Sequence, residues 1–429
     1  SLIGVVNDQG VGSGGLESSL NSILSGTNGK YVYANGRGNI IPGSEEIRVE
    51  AKSGTSIRLT IDRDVQWVAQ NAISQAVASS KAKSGTVIVM DPKTGEILAQ
   101  ASAPTFDPNI PSSITVDKLN NPSVQEVYEP GSTGKVITVA AAMEEGLITP
   151  ESVFSIPYSM KVSDGVFKDH EKHPTQRLTT TGLLAVSSNT GSIQIGQKLG
   201  KDNLYKYLTK FGIGQSTNSK LPGESAGILH PVKDWSGTSL PTISFGQGYS
   251  LTAMQSTSVF ATIANNGVRV KPSILAGVVD ESGKYTPSAA NESTRVLSEQ
   301  TAINMRAMME NVVSKNGTAP SAAIDGYRVA GKTGTAQRYN TACRCYSGYT
   351  ASFIGFAPAD QPKYVVSVTI QDPKGMHWGG VLAGPVFKKV MGFVLQNQRI
   401  SPTPETKTFY SLTEAALKQR SKITPKSGA

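Results

Sequence analysis

The chain has 429 residues, 38% hydrophobic and 17% charged, which is enough apolar material for one large core plus a smaller module and excludes wholesale disorder. Its formal net charge is +9, but the basic residues are scattered without a Lys/Arg block or interleaved aromatics. That pattern argues against nucleic-acid reading and favours attraction to an anionic surface such as a wall polymer or lipid headgroups. No run approaches the ~20 apolar residues that cross a bilayer, and the chain opens at Ser1 without a signal-like segment. It reads as a polypeptide trimmed of a membrane anchor.

Residues 1–61 are rich in Gly, Ser and Asn. Strand-like pieces at Lys30 to Ala34, Glu46 to Ala51 and Ser56 to Ile61 predict an extended module with little core of its own. The spaced glycines Gly10, Gly12 and Gly14 look weakly like a dinucleotide loop, but no strong strand precedes them and no helix follows directly, so the stretch reads as loop. Asp62 or Asp64 is placed to cap a helix through Val65 to Ile73. The β runs Gly85 to Met90 and Glu96 to Ala101 flank the turn Asp91-Pro92-Lys93-Thr94-Gly95 and predict an antiparallel hairpin.

Residues 103–131 form a Pro- and Asn-rich connector. The breaker Pro130-Gly131 then puts Ser132 at or just inside the start of a helix that ends near Gly146, with Lys135 one turn on. Residues 151–180 look irregular. Helix is predicted from about Thr181, broken at Ser187 to Gly191, and resumed from Ile193 to Leu208. Further helices are expected over 250–265 and from the capping Ser298 through Val313. Three β runs follow, Arg328 to Ala336, Tyr349 to Ala357 and Tyr364 to Gln371, then a helix from Gly379 to Leu395. Beyond Ser401 a short helix and a frayed tail are expected. A hairpin, a helical block and a three-strand meander without crossover helices predict an α+β fold. Its sheet should be antiparallel and five-stranded, flanked by helices, with the last helix closing one face.

Three short motifs carry chemistry. Ser132-Thr133-Gly134-Lys135 sits at a helix start, Ser187-Ser188-Asn189 in a break between helices, and Lys332-Thr333-Gly334 on a strand. Alone, Ser132 is as consistent with a capping serine and Lys135 with a solvated lysine; together, order and setting are specific. A serine needs a base to attack a carbonyl, and a desolvated lysine one turn away supplies one. Lys332 nearby would lower the pKa of Lys135 by like-charge repulsion. Ser187 is positioned to pass a proton to a leaving amine, and Asn189 to orient a peptide amide and Lys135. The strand from Lys332 to Thr335 offers an edge for an extended peptide, whose terminal carboxylate the Thr333 and Thr335 hydroxyls and the Lys332 charge would hold. Gly334 would let the substrate backbone come close. Tyr249, His377 and Trp378 are weaker candidates for the cleft lining.

The set SxxK, SxN, KTG resembles the signature of the penicillin-binding and serine β-lactamase superfamily. Glu129-Pro130-Gly131-Ser132, Leu59-Thr60-Ile61-Asp62 with Gln66, Leu221-Pro222-Gly223-Glu224, Gly246-Gln247-Gly248 and Ala264-Asn265-Asn266-Gly267 narrow the likeness. They resemble a class B penicillin-binding protein, from the first residues to about residue 395. The resemblance implies a peptidoglycan D,D-transpeptidase, of the septal division type or, as alternative, the elongation type. It divides the chain into a pedestal-like module (1–61), a transpeptidase domain (62–399) and a tail (400–429). It implies an acyl-enzyme at Ser132 and an oxyanion hole from the backbone N–H groups of Ser132 and Thr335. It also implies β-lactams as covalent inhibitors, and stem peptides, a lipid-linked precursor, a membrane glycan polymerase and division proteins as partners. An N-terminal transmembrane helix would hold the domain at the extracytoplasmic face of the cell membrane.

Within the superfamily a β-lactamase or D,D-carboxypeptidase is the nearer alternative, and each would want a carboxylate base for water; Glu224 lies in the right broad region. A β-lactam-sensing receptor is a third. From another class, Gly326 to Thr333 matches GxxxxGK[ST], but a phosphate loop needs a strand before it and a helix after it, and neither is expected here. Cys343 and Cys345 form either a short bridge or two thiols. Two cysteines and four histidines without ligand spacing give no metal site and no cofactor.

Overall fold

The computed structural model describes residues 1–340, 343–403 and 410–423. A five-stranded antiparallel sheet organises the chain: β1 (Ser84–Met90), β2 (Ile97–Ala103), β3 (Ala330–Asn340), β4 (Cys345–Ala357) and β5 (Tyr364–Gln371), in spatial order β3-β4-β5-β1-β2. Hairpin and meander meet where β5 pairs with β1, Val365 opposite Met90 and Gln371 opposite Ser84. β1 and β2 are buried along their whole length, because helices cover both faces of the sheet.

On one face lie α1 (Arg63–Ser80), capped by Asp62, and α8 (Gly379–Asn397). They bury Val65, Ile73, Phe387 and Leu395 against Val87, Phe353 and Val368. The other face carries α2 (Lys135–Glu144) and α6 (Ala253–Ala264). Behind them stand α3 (Thr180–Ala185), α4 (Asn189–Leu199), α5 (Lys201–Lys210) and α7 (Glu299–Val313), which share the larger cluster around Ile88, Val139, Phe260 and Met308. α2 is buried from Lys135 through Met143, so the motif serine leads into a central helix.

Several expectations change. Residues 151–180 hold two strand pairs, Val153–Ile156 with Gln176–Thr179 and Ser159–Val162 with Gly165–Lys168; the segments are too short to show a period in sequence. The helix expected from Ile193 to Leu208 breaks at Gly200, whose φ is 81°. A short helix, Gly15–Ser19, directly follows the Gly10 to Gly14 run. In residues 1–61, Lys30–Gly36 and Asn39–Val49 form an exposed ribbon, while Leu16 and Leu20 insert into the main core. Ser56–Leu59 pairs with Leu275–Val279. Cys343 and Cys345 are joined by a disulfide. Of the expected tail, Glu414–Ile423 is a helix, while 404–409 and 424–429 lie outside the described residues. Among the described residues no helix is long and apolar enough to cross a membrane.

Candidate active site

Ser132 sits in a 3-10 turn, Gly131–Gly134, that feeds α2, with Lys135 as the first α-helical residue. The turn is braced from behind. Gly131 has φ 54°, and its N–H donates to the Gly246 carbonyl at 2.8 Å. A Cβ on Gly246 would stand 1.8 Å from the Gly131 oxygen. Gly246 is therefore glycine because two backbones touch there. Glu129 links the same turn outward, its Oε1 accepting from Gly248 N at 2.9 Å and from Tyr346 Oη at 3.2 Å; burial pushes this carboxyl up.

Ser187 lies between α3 and α4 with φ 63°, the left-handed region a non-glycine residue seldom occupies. What holds it is Asp169, which sequence reasoning missed. Asp169 is 8% exposed and accepts from Asn189 N at 2.5 Å, Thr190 N at 2.9 Å, Ser188 Oγ at 2.7 Å and His173 Nε2 at 3.1 Å. It satisfies donors that the start of α4 would otherwise leave orphaned. No spacing rule links a lone aspartate in an irregular-looking stretch to a helix start 20 residues later.

Lys332, Thr333, Gly334 and Thr335 lie on β3, the edge strand of the sheet, with Lys332 opposite Ile354 and Thr335 opposite Ala351. The P-loop alternative fails here, since Lys332 and Thr333 lie within a strand that runs on to Asn340, where a phosphate loop needs a helix to begin. A Cβ on Gly334 would meet Ser352 Oγ at 2.3 Å, Pro130 O at 2.9 Å and Thr133 Cγ2 at 3.0 Å. The room expected for substrate is taken by the protein's own Ser132 turn, so this glycine seats that turn on the strand. Thr333 Oγ1 meets Thr318 Oγ1 at 2.8 Å, and Thr335 Oγ1 accepts from Gly379 N at the start of α8, 3.2 Å away.

Ser187 is where the three motifs converge. Lys135 Nζ donates to Ser187 O at 2.5 Å, Asn189 Oδ1 at 2.7 Å and Ser187 Oγ at 3.3 Å. Lys332 Nζ donates to the same Ser187 Oγ at 2.9 Å and to Thr333 O at 3.2 Å. Both lysines are 0% exposed. Desolvation is what lowers Lys135, to about 7, while Asp169 pulls weakly the other way. Burial also lowers Lys332 well below the usual lysine range, and the Lys135 charge pushes it further. Repulsion thus falls on Lys332, not on Lys135 as expected from sequence; for Lys135 burial dominates. Among the described residues no hydrogen bond joins Ser132 Oγ to Lys135, whose Nζ is turned to the carbonyl oxygens of Ser187 and Asn189. A neutral Lys135 has two N–H donors for those two carbonyl oxygens, leaving its lone pair for a hydroxyl.

Tyr249 is core, 2% exposed, its hydroxyl lying against Gly134. His377 stacks on Tyr349 with ring centroids 4.0 Å apart, and Trp378 meets His170 edge-on at 4.2 Å. The second pair joins the loop that carries Asp169 to the start of α8 beside Thr335. Glu224 is not aimed at the site: it accepts from the backbone N–H groups of Thr217 and Ser219, pinning that loop.

Residues 85–392 match the family model described as penicillin binding protein transpeptidase domain. The chain is 40% identical over 417 residues to the penicillin-binding protein PbpB of Mycolicibacterium smegmatis, covering 94% of this chain and 64% of that protein. It is 34% identical to the peptidoglycan D,D-transpeptidase FtsI of Escherichia coli, covering 94% of this chain and 66% of FtsI. It thus spans just under two thirds of the length of each of these relatives. The crystal structure of penicillin binding protein 3 from Mycobacterium tuberculosis complexed with ampicillin superposes with a TM-score of 0.88 at 36% identity, covering 96% of this chain and 90% of that one.

Proposed function

The chain belongs to the penicillin-binding protein transpeptidase family, and from that premise we propose that it is a peptidoglycan D,D-transpeptidase working through a Ser132 acyl-enzyme. Ser132 Oγ attacks the carbonyl between two terminal D-alanines, and the backbone N–H groups of Ser132 and Thr335 take the oxyanion. The peptide C–N bond breaks, Ser187 returns a proton to the leaving amine, and D-alanine departs. An acceptor amine from a neighbouring strand then displaces Ser132 and completes the cross-link. A β-lactam acylates the same oxygen.

The single observation that carries this reading is the meeting of two buried amines on the Ser187 hydroxyl, one of them, Lys135, also held by Asn189. A substrate carboxylate held by Lys332, Thr333 and Thr335 favours a proton on Lys332 and leaves Lys135 neutral. Lys135 then accepts the Ser132 proton once the serine rotates towards it, a contact that catalytic groups commonly tighten only when substrate is bound. Asn189 orients the peptide amide, and Gly334 holds the strand against the Ser132 turn.

On this reading residues 62–399 form the transpeptidase domain, 1–61 a pedestal and 400–429 a tail. On the same reading the domain works at the extracytoplasmic membrane face, tethered by an N-terminal helix, beside a glycan polymerase and division proteins. Mass spectrometry with peptide mapping after incubation with penicillin tests the assignment. The expected adduct is on the peptide containing Ser132 and persists for minutes to hours. An adduct retained by Ser132→Ala refutes the site, and rapid release favours a hydrolase.

A further inference from the structure

A second cavity lies away from the lysine pair, between the C-terminal end of α5, α6 and the strand Val268–Val270, with a volume of about 300 Å³. That is at the lower end of the range for small-molecule sites. Its walls are fixed by buried hydrogen bonds. The Gln255 side-chain amide donates to the carbonyls of Gly212, Gln215 and Ala226 at 3.2, 2.9 and 2.8 Å. The opposite loop is pinned by Glu224, which takes the N–H of Thr217 at 2.5 Å and of Ser219 at 3.0 Å.

The lining is mixed, with Phe211, Val270 and Pro272 beside polar groups, and its charges are of one sign. Ser216, Asn218 and Ser258 contribute hydroxyl and amide groups, and Arg269 and Lys271 contribute cations; among the described residues no carboxylate lines the cavity, Glu224 standing behind the wall where it accepts from the Thr217 hydroxyl. Arg269 and Lys271 stand two residues apart on an extended segment, which turns both to the same side. Lys271 Nζ is paired with Glu292 at 2.7 Å, whose side chain is 78% exposed. Among the described residues Arg269 has no such partner. Its guanidinium lies over Gly212, where a Cβ would stand 2.1 Å from Nη1, and it is half-buried. Desolvation pushes its pKa down. A planar fork of donors held partly out of water without a counter-charge suits an oxyanion.

We propose that this cavity binds a small oxyanion-bearing molecule, with its phosphate or carboxylate group seated on the Arg269 guanidinium and flanked by the hydroxyl of Ser216. The site is separate from the lysine-pair cleft, and the proposal does not rest on the transpeptidase reading.

The test is calorimetric titration of the full chain with two probes, inorganic pyrophosphate and N-acetyl-D-alanine. Saturable binding with Kd of about 1 mM or tighter is expected for one or both, and the preferred probe identifies phosphate or carboxylate as the natural group. Arg269→Gln should weaken binding at least roughly tenfold, Arg269→Lys less because it keeps the charge but loses the fork, and Lys271→Gln a few-fold. Penicillin labelling at Ser132 reports that each variant is folded. Prior acylation of Ser132 should leave the titration unchanged. No saturable binding of either probe, equal affinity in Arg269→Gln, or loss on acylation overturns the proposal.

Discussion

Protonation of Lys135 is the perturbation whose effect the site fixes most directly. Burial holds this amine at about 7 rather than 10.5, and only the neutral form can take the Ser132 proton. A base of that strength is about 90% neutral at pH 8 and about 1% neutral at pH 5, so acylation by a β-lactam should fall roughly ninetyfold across that range. The slope should approach one decade per pH unit below neutrality and flatten above it. Stopped-flow acylation with a fluorescent penicillin measures it, with tryptophan fluorescence checking that the fold persists at each pH. The same depression has a stability consequence. Between about pH 7 and 10.5 the unfolded chain holds a proton on this lysine that the folded chain lacks, so stability should rise with pH across that window. A rate that is flat from pH 5 to 8, or that rises as pH falls, would refute the assignment of Lys135 as base.

Asp169→Ala removes the acceptor for two backbone N–H groups and a hydroxyl, at a cost of roughly 2–4 kcal/mol. With unfolding entropy near 2.1 cal/mol/K per residue over ~340 residues, that is about 3–6 °C in Tm. Acylation should fall by more than this stability loss explains, because Ser187 and Asn189 lose their anchor. Gly334→Ala forces Pro130, Ser352 or the strand to move, which should cost about 1–3 kcal/mol and slow acylation at least tenfold, read from the same labelling assay. Glu224→Ala should lower Tm by a few degrees while leaving both acylation and adduct lifetime unchanged; a longer-lived adduct would instead mark Glu224 as a hydrolytic base.

The sheet and its helices were legible in the sequence wherever an element announces itself locally. Asp62 and Ser298 cap their helices as their position before apolar periodicity implies, and the Pro/Gly turn at 91–95 gives the β1–β2 hairpin. The three motif segments were also legible as settings. What they do to one another was not, because that depends on where long side chains end. Lys135 reaches past Ser132 to Ser187, and Thr335 Oγ1 accepts from the start of α8, which leaves its O–H to donate elsewhere. Asp169 and Arg269 were invisible for the same reason: each matters through what the fold brings beside it, not through any neighbour in sequence.

Burying two lysines within reach of one hydroxyl is unfavourable unless the surroundings are fixed in advance. The supports lie outside the motifs. Asp169 holds Ser187 in a left-handed conformation that costs of order 1–3 kcal/mol for a non-glycine residue, and Gly131 with Gly246 braces the Ser132 turn from the far side. Neither support touches the reacting atoms. If both were relaxed, the amines would regain water, and their pKa values would return towards the ordinary lysine range. Reactivity at neutral pH therefore depends on the rigidity of segments 160–190 and 246–248 as much as on the serine and the lysines. Loosening mutations there should move the acylation midpoint upward in pH before they unfold the chain.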